Sequence, residues 1–349
     1  MATITTVATA VPPNVIPQAD VTAAMQRHFA LAPAKLASLK VLFENASVQR
    51  RYSAVPLEEL AKPRSLTQST QIYREHAALL GRKVASDCLE QAGIRATDVD
   101  LLITVSCTGI MIPSLDAHLI NDLGFRSDVR RLPITELGCA AGACALSRAS
   151  EFLRAFPRSN ALVVAVELPT LTFQGHDTST ANLVSSALFG DGAAAALLTW
   201  RDAPGPRILD TESYLFPHSL GDMGFDLEDG GLHVVLSKDV PGLIRRQVKR
   251  LIDTLCERNG LGREQLSFFV LHPGGKKILG GLEQELGLSR DATQTSWDVL
   301  RDYGNLSSAT VLFVLHEWLT RRHPAAGEVG LMAAFGPGVS SEMLLLQWT

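Results

Sequence analysis

Glu136-Leu137-Gly138-Cys139-Ala140-Ala141-Gly142-Ala143 and Asp302-Tyr303-Gly304-Asn305-Leu306-Ser307-Ser308-Ala309 follow one plan. In each, a residue able to do chemistry follows a glycine, small residues come next, and a helical pattern begins. Backbone N–H groups at a helix start are unpaired, and the helix dipole there favours negative charge. The first stretch therefore predicts that Cys139 ionises more easily than a free thiol, whose pKa is about 8.5. The second places Asn305 in the matching position, 166 residues further on.

The flanks repeat as well. Residues 93–105 (GIRATDVDLLITV) read as a helix end, a short connection and a buried strand, and residues 260–272 (GLGREQLSFFVLH) repeat that order. Residues 160–166 (NALVVAV) and 327–333 (GEVGLMA) are both buried strands. Three elements in nearly constant register predict an internal duplication of a large α/β unit. Alternating strands and helices in both halves imply layered α/β with mixed sheets. The Pro/Gly-rich run from Arg201 to Arg207 marks the boundary, giving halves 1–203 and 204–349.

A chain of 349 residues, 46% hydrophobic and 19% charged, is large enough for two such units. A net charge of −4 without a basic run argues against a nucleic-acid partner. No apolar stretch approaches the roughly 20 residues of a membrane span. Residues 1–13 alternate like a strand and lack the charged start of a signal peptide. Five cysteines without CxxC spacing fit a reduced, cytoplasmic chain with free thiols. Residues 15–60 read as helical, 67–92 as a long amphipathic helix, 167–187 as a polar excursion that shapes a substrate, and 221–225 as a loop before a strand at 232–236.

His272 ends its strand just before Pro273-Gly274-Gly275, so its imidazole projects from the sheet end. If the halves face each other about a pseudo-twofold axis, Cys139, His272 and Asn305 meet in one cavity. A Cys–His pair stabilises thiolate and imidazolium together, and a His and an Asn offer donors to a developing oxyanion. The set suits acyl transfer onto sulfur. Taken singly, the same residues also read as a packing thiol, a satisfied core histidine and a helix cap.

With Gly138-Cys139, Phe189-Gly190-Asp191-Gly192-Ala193, Lys238-Asp239-Val240-Pro241-Gly242, His272-Pro273-Gly274-Gly275, Gly304-Asn305-Leu306-Ser307-Ser308-Ala309 and Phe335-Gly336-Pro337-Gly338, nearly the whole chain resembles the type III polyketide synthases. This is the chalcone synthase-like family of the thiolase superfamily, and the resemblance is to its bacterial type. It implies a homodimer of αβαβα subunits with a buried cavity. Cys139 would accept a starter acyl group from an acyl-CoA. His272 and Asn305 would bind malonyl-CoA and stabilise the enolate left by decarboxylation. Coenzyme A thioesters would be the substrates, with no metal or other cofactor.

The resemblance also puts Phe189 at the tunnel gate and Val234 where plant enzymes carry a second gating phenylalanine. Cys107, Thr172, Phe225 and Ser307 fall at cavity positions. Ile112 falls where a residue crosses into the partner's cavity, although a packing role fits it equally. Lys40, Gly274 and Ala309 fall near coenzyme A, Lys40 reading equally as part of a solvated helix face. Cys107 resembles tetrahydroxynaphthalene producers, whereas 171–183 resembles alkylpyrone and alkylresorcinol producers, so the product stays open. A ketoacyl synthase III-like single condensing enzyme and a non-catalytic thiolase-fold scaffold are the alternatives.

Overall fold

The computed structural model describes residues 1–29, 33–200 and 203–349. The boundary run therefore begins with two residues outside the described set.

β1 (Thr3–Ala10) opens the chain. β2 (Asn14–Pro17) and β3 (Arg50–Ser53) pair antiparallel and enclose α1 (Gln18–His28) and α2 (Pro33–Glu44). Helix throughout 15–60 is thus corrected at 15–17 and at 50–53, which are strand. Burial alternates there, with Ile16, Arg51 and Ser53 inside and Val15 and Arg50 outside, which is the period of a strand. α3 (Leu57–Leu60) is short, and α4 (Leu66–Ala92) starts in a capping box between Ser65 and Gln68 and ends at Gly93. β4 (Leu101–Val105), α5 (Leu115–Leu123), β5 (Arg130–Ile134), α6 (Ala141–Ala155), β6 (Asn160–Glu167), α7 (Thr180–Leu188) and β7 (Gly192–Thr199) complete the first half. α7 lies inside the expected excursion. Its buried face is Asn182, Ser185 and Ala187, too polar to show a helical apolar period.

The second half holds β8 (Pro206–Leu215), β9 (Met223–Glu228), β10 (Gly231–Leu236), α8 (Val240–Arg258), β11 (Leu266–Leu271), α9 (Lys276–Leu286), α10 (Gln294–Tyr303), α11 (Thr310–Glu317), β12 (Val329–Gly336) and β13 (Ser340–Trp348). β9 corrects the loop expected at 221–225. Glycines at 221 and 224 suggest a loop, but the Asp229-Gly230 turn is a hairpin signal, and β9 pairs with β10 across it.

The sheet order is β11-β12-β13-β8-β1-β7-β6-β4-β5. β1-β7-β6-β4 and β8-β13-β12-β11 share the same succession of antiparallel, antiparallel and parallel pairings. The two sets join through one residue pair, Thr3 with Arg207. α6 and α11 form a central layer, where Leu146, Leu153, Leu312 and Leu315 pack with Ile103, Val163, Val270 and Met332. α4 and α5 cover the other face of the first half, and α8, α9 and α10 that of the second. The layers run αβαβα, with each strand giving alternate residues to opposite cores.

The duplication holds, but its frame shifts. 3-10 turns at Gly138–Ala140 and Ser307–Ala309 lead into α6 and α11. In that frame, Ser308 is the counterpart of Cys139, and Asn305 lies three residues earlier.

Candidate active site

The two central helices touch where their leading turns cross. A Cβ on Gly142 would stand 2.2 Å from the Ser308 carbonyl oxygen, and one on Gly138 would stand 2.6 Å from Pro337. This closeness carries Cys139 to the other half. Its Sγ lies 3.5 Å from Ser307 Oγ and 3.9 Å from Asn305 Oδ1. Asn305 is held on both sides. Its Oδ1 accepts from the Ser307 N–H at 2.8 Å and the Thr310 hydroxyl at 3.2 Å, and its Nδ2 donates to the Gly274 carbonyl at 3.4 Å. Ser307 adopts a φ of 50°, a conformation few non-glycine residues take.

His272 joins from the β11 end. Its N–H donates to the Ala333 carbonyl at 2.8 Å. Gly274 lies close against its ring, since a Cβ there would stand 3.5 Å from Nε2 and 3.1 Å from Ile278 Cδ1. Both ring nitrogens are buried without a hydrogen-bond partner. A buried polar group with no partner is rare and calls for an explanation.

Easy ionisation of Cys139 is not what the surroundings give. Burial pushes its thiol up to about 11, and the Glu167 carboxylate adds to the shift, while Ser307 and Asn305 oppose it. Burial alone pushes His272 down to about 3. Each charge is costly by itself. Formed together, a thiolate and an imidazolium would each offset part of the other's cost.

Cys107 stands beside this set, with Sγ 3.3 Å from Ser307 Oγ. Burial and Glu167 hold its thiol well above the ordinary range. Thr172 is buried and spends its hydroxyl on the Pro169 carbonyl at 2.8 Å. Phe189 and Thr172 share an apolar cavity wall with Ile16, Val21 and Met25. Phe225 and Val234 face each other across the β9–β10 ribbon. The Gln174 side chain ties that ribbon to the Thr172 turn through the Leu232 carbonyl, at 3.2 Å.

Ile112 is 85% exposed and far more open than a packing residue. Lys40 is exposed and lies 3.8 Å from Glu44. Gly274 lies against His272, whereas Ala309 is fully buried and its N–H is used by the Leu306 carbonyl. The backbone of Ala309 is therefore not presented to a ligand.

Sequence reasoning passed over Glu167, Ser308 and Thr108. The fully buried Glu167 accepts from Thr108 Oγ1 at 2.7 Å, from the Cys107 N–H at 3.1 Å and from the Ser308 hydroxyl. A carboxylate closing an otherwise apolar strand, NALVVAVE, was the available signal. Among the described residues, no group of three or more His, Cys, Asp or Glu is placed to hold a metal ion, and no helix is long and apolar enough to cross a membrane.

Residues 1–201 match the N-terminal domain, and residues 208–348 the C-terminal domain, of chalcone and stilbene synthases. The chain belongs to the type III polyketide synthase family. It is 36% identical over 348 residues to the 1,3,6,8-tetrahydroxynaphthalene synthase of Streptomyces coelicolor, covering 100% of this chain and 92% of that protein. It is 36% identical over 323 residues to the phloroglucinol synthase of Pseudomonas fluorescens, covering 90% of each. The crystal structure of the Streptomyces coelicolor A3(2) tetrahydroxynaphthalene synthase superposes with a TM-score of 0.96 at 35% identity, covering 99% of both chains. The type III polyketide synthase is thus an acyltransferase that condenses malonyl-CoA with loss of carbon dioxide.

Proposed function

We propose that Cys139 holds the growing acyl chain, that His272 and Asn305 activate malonyl-CoA, and that the chain is released as a cyclised polyketide. The contact of Cys139 with Asn305, and the unpartnered ring of His272 beside Gly274, whose carbonyl accepts from Asn305 Nδ2, carry this reading. The Cys139 thiolate attacks the starter thioester and expels coenzyme A as its thiol. Malonyl-CoA then binds with its thioester oxygen toward His272 and Asn305 Nδ2. Loss of carbon dioxide leaves an enolate whose charge those donors stabilise, a gain realised mainly along the reaction path. The enolate carbon attacks the Cys139 thioester, the thiolate leaves, and the lengthened chain stays on coenzyme A until it reloads Cys139 or cyclises.

The cavity would be shaped by Cys107, Thr172, Phe189, Phe225, Val234 and Ser307. The 36%-identical relatives favour a tetrahydroxynaphthalene-type or related small aromatic product over an alkylpyrone or alkylresorcinol. The pantetheine arm would pass Gly274. Beyond it, Lys276 and Lys277 stand exposed at the start of α9, better placed for the phosphates than Lys40 beside Glu44. The exposure of Ile112 supports a homodimer, and the free cysteines fit a reduced, cytoplasmic setting.

Purified protein incubated with malonyl-CoA alone, and then with a series of acyl-CoAs, tests the reading by mass spectrometry of the products. Cyclised products of several malonyl units support it. A product extended by one unit only would favour the single condensing enzyme.

A further inference from the structure

The C-terminus of α7 has an unusual set of partners. A helix leaves its last carbonyls without intrahelical donors, and buried carbonyls need donors from elsewhere. Here Arg51 Nη1 donates to the Ser186 carbonyl at 2.6 Å and the Phe189 carbonyl at 2.7 Å. Arg51 Nη2 donates to the Ala187 carbonyl at 2.7 Å and to Gln18 Oε1. Gln18 Nε2 also donates to the Ala187 carbonyl, at 3.0 Å. The remaining carbonyl, of Leu188, accepts from the Asn305 N–H at 2.8 Å. The Gly190 N–H returns a bond to the Asn305 carbonyl at 3.1 Å, so Phe189 and Asn305 form a parallel bridge.

This crossing has no slack. A Cβ on Gly304 would stand 2.5 Å from the Leu188 oxygen, and one on Gly190 would stand 2.4 Å from the Tyr303 oxygen. Asp191 fixes the other side, accepting from the Ala54 N–H at 2.8 Å and the Thr170 N–H at 2.9 Å. Arg51 itself is 3% exposed. Burial lowers its pKa, and Asp191 nearby opposes the shift. A charge kept at that cost, with both terminal nitrogens turned to four acceptors around one crossing and Nε buried without a partner, implies a task at the crossing.

We propose that Arg51 is a positioning residue for the reaction, clamping the end of α7 so that Phe189 and Asn305 are set together. The proposal rests on the role given to Asn305 above. The guanidinium fork reaches several carbonyls at once, which a lysine ammonium cannot reproduce from one position. Loosening the clamp should disturb malonyl-CoA activation at Asn305, whose N–H bonds directly to the Leu188 carbonyl, more than acyl transfer onto Cys139, which meets that crossing through Asn305.

The test measures two rates in the full-length protein and its variants. One is acylation of Cys139 by a starter acyl-CoA, followed by intact-protein mass spectrometry. The other is carbon dioxide release from malonyl-CoA. In Arg51→Lys, decarboxylation should fall at least tenfold in kcat, with a smaller change in KM and less than a threefold loss of acylation. Gln18→Ala, which removes one Arg51 acceptor and leaves the charge, should change the ratio of the two rates in the same sense by a smaller factor. Parallel loss of both rates with the folded fraction, or an unchanged ratio, overturns the proposal. If Arg51→Lys does not fold, the ratio in Gln18→Ala decides alone. Acylation of the unmodified protein and loss of decarboxylation in Asn305→Ala test the parent reading separately.

Discussion

At the scale of residues, the proposed chemistry depends on a thiol and an imidazole that are each hard to charge. Cys139 is pushed up to about 11 and His272 down to about 3, both chiefly by burial. In the proposed cycle a proton shared between them relieves both costs, so removing the imidazole should strand the thiol. In His272→Ala, the pH midpoint for alkylation of Cys139 by iodoacetamide should rise toward that of an isolated buried thiol. An unchanged midpoint would show that the two do not ionise as a pair. The histidine also bears on stability. Its folded pKa is depressed, so between its ordinary value of 6.5 and about 3 the unfolded chain binds more protons. Stability should therefore fall as pH drops below 6.5, by up to about 1.4 kcal/mol per pH unit, and chemical denaturation should show a weaker fall in His272→Gln. Cys107 occupies the space next to Ser307, so Cys107→Phe should shorten the products without blocking acylation of Cys139. Mass spectrometry checks this, and an unchanged product range would make Cys107 a packing residue only.

At the scale of elements, the site exists because two helix-leading turns are pressed together. Gly142 lets α6 approach the Ser308 carbonyl. Gly142→Ala should force them apart, costing about 1–3 kcal/mol in thermal or chemical denaturation and most of the condensing activity. Glycine followed by Cys139 or Asn305 and then small residues was legible in the sequence because close approach needs small residues. The exact frame was not, because each 3-10 turn takes up residues differently before its helix begins. That is why Asn305 and Ser307, and not Ser308, the counterpart in the helical frame, are the residues bonded to Cys139. The strands at 101–105, 160–166 and 266–271 were legible from largely apolar runs. α7 was hidden by a polar buried face, and β9 by its glycines. Glu167 was hidden because one carboxylate at a strand end carries no periodic signal, although it bonds to both Cys107 and Ser308.

At the scale of the whole molecule, the duplication turns two half-sites into one. Each half supplies a set of strands, a central helix and a turn, and neither holds all three proposed reacting groups alone. Cys139 comes from the first half, and His272 and Asn305 from the second. The exposed Ile112, beside half-buried Met111 and exposed Ile110, extends this logic to a second copy. Light scattering should give a dimer for the unaltered chain and a weakened one for Ile112→Glu. A monomeric unaltered chain would contradict the homodimer. The central claim is that one thiol anchors the chain while the other half activates malonyl-CoA. Its most direct test is peptide mapping after a brief incubation with a starter acyl-CoA, paired with carbon dioxide release from malonyl-CoA by Cys139→Ala. An acyl group is expected on the peptide containing Cys139, none in Cys139→Ala, and residual decarboxylation in that variant. An acyl group on Cys107 or elsewhere, or full polyketide synthesis by Cys139→Ala, would contradict it.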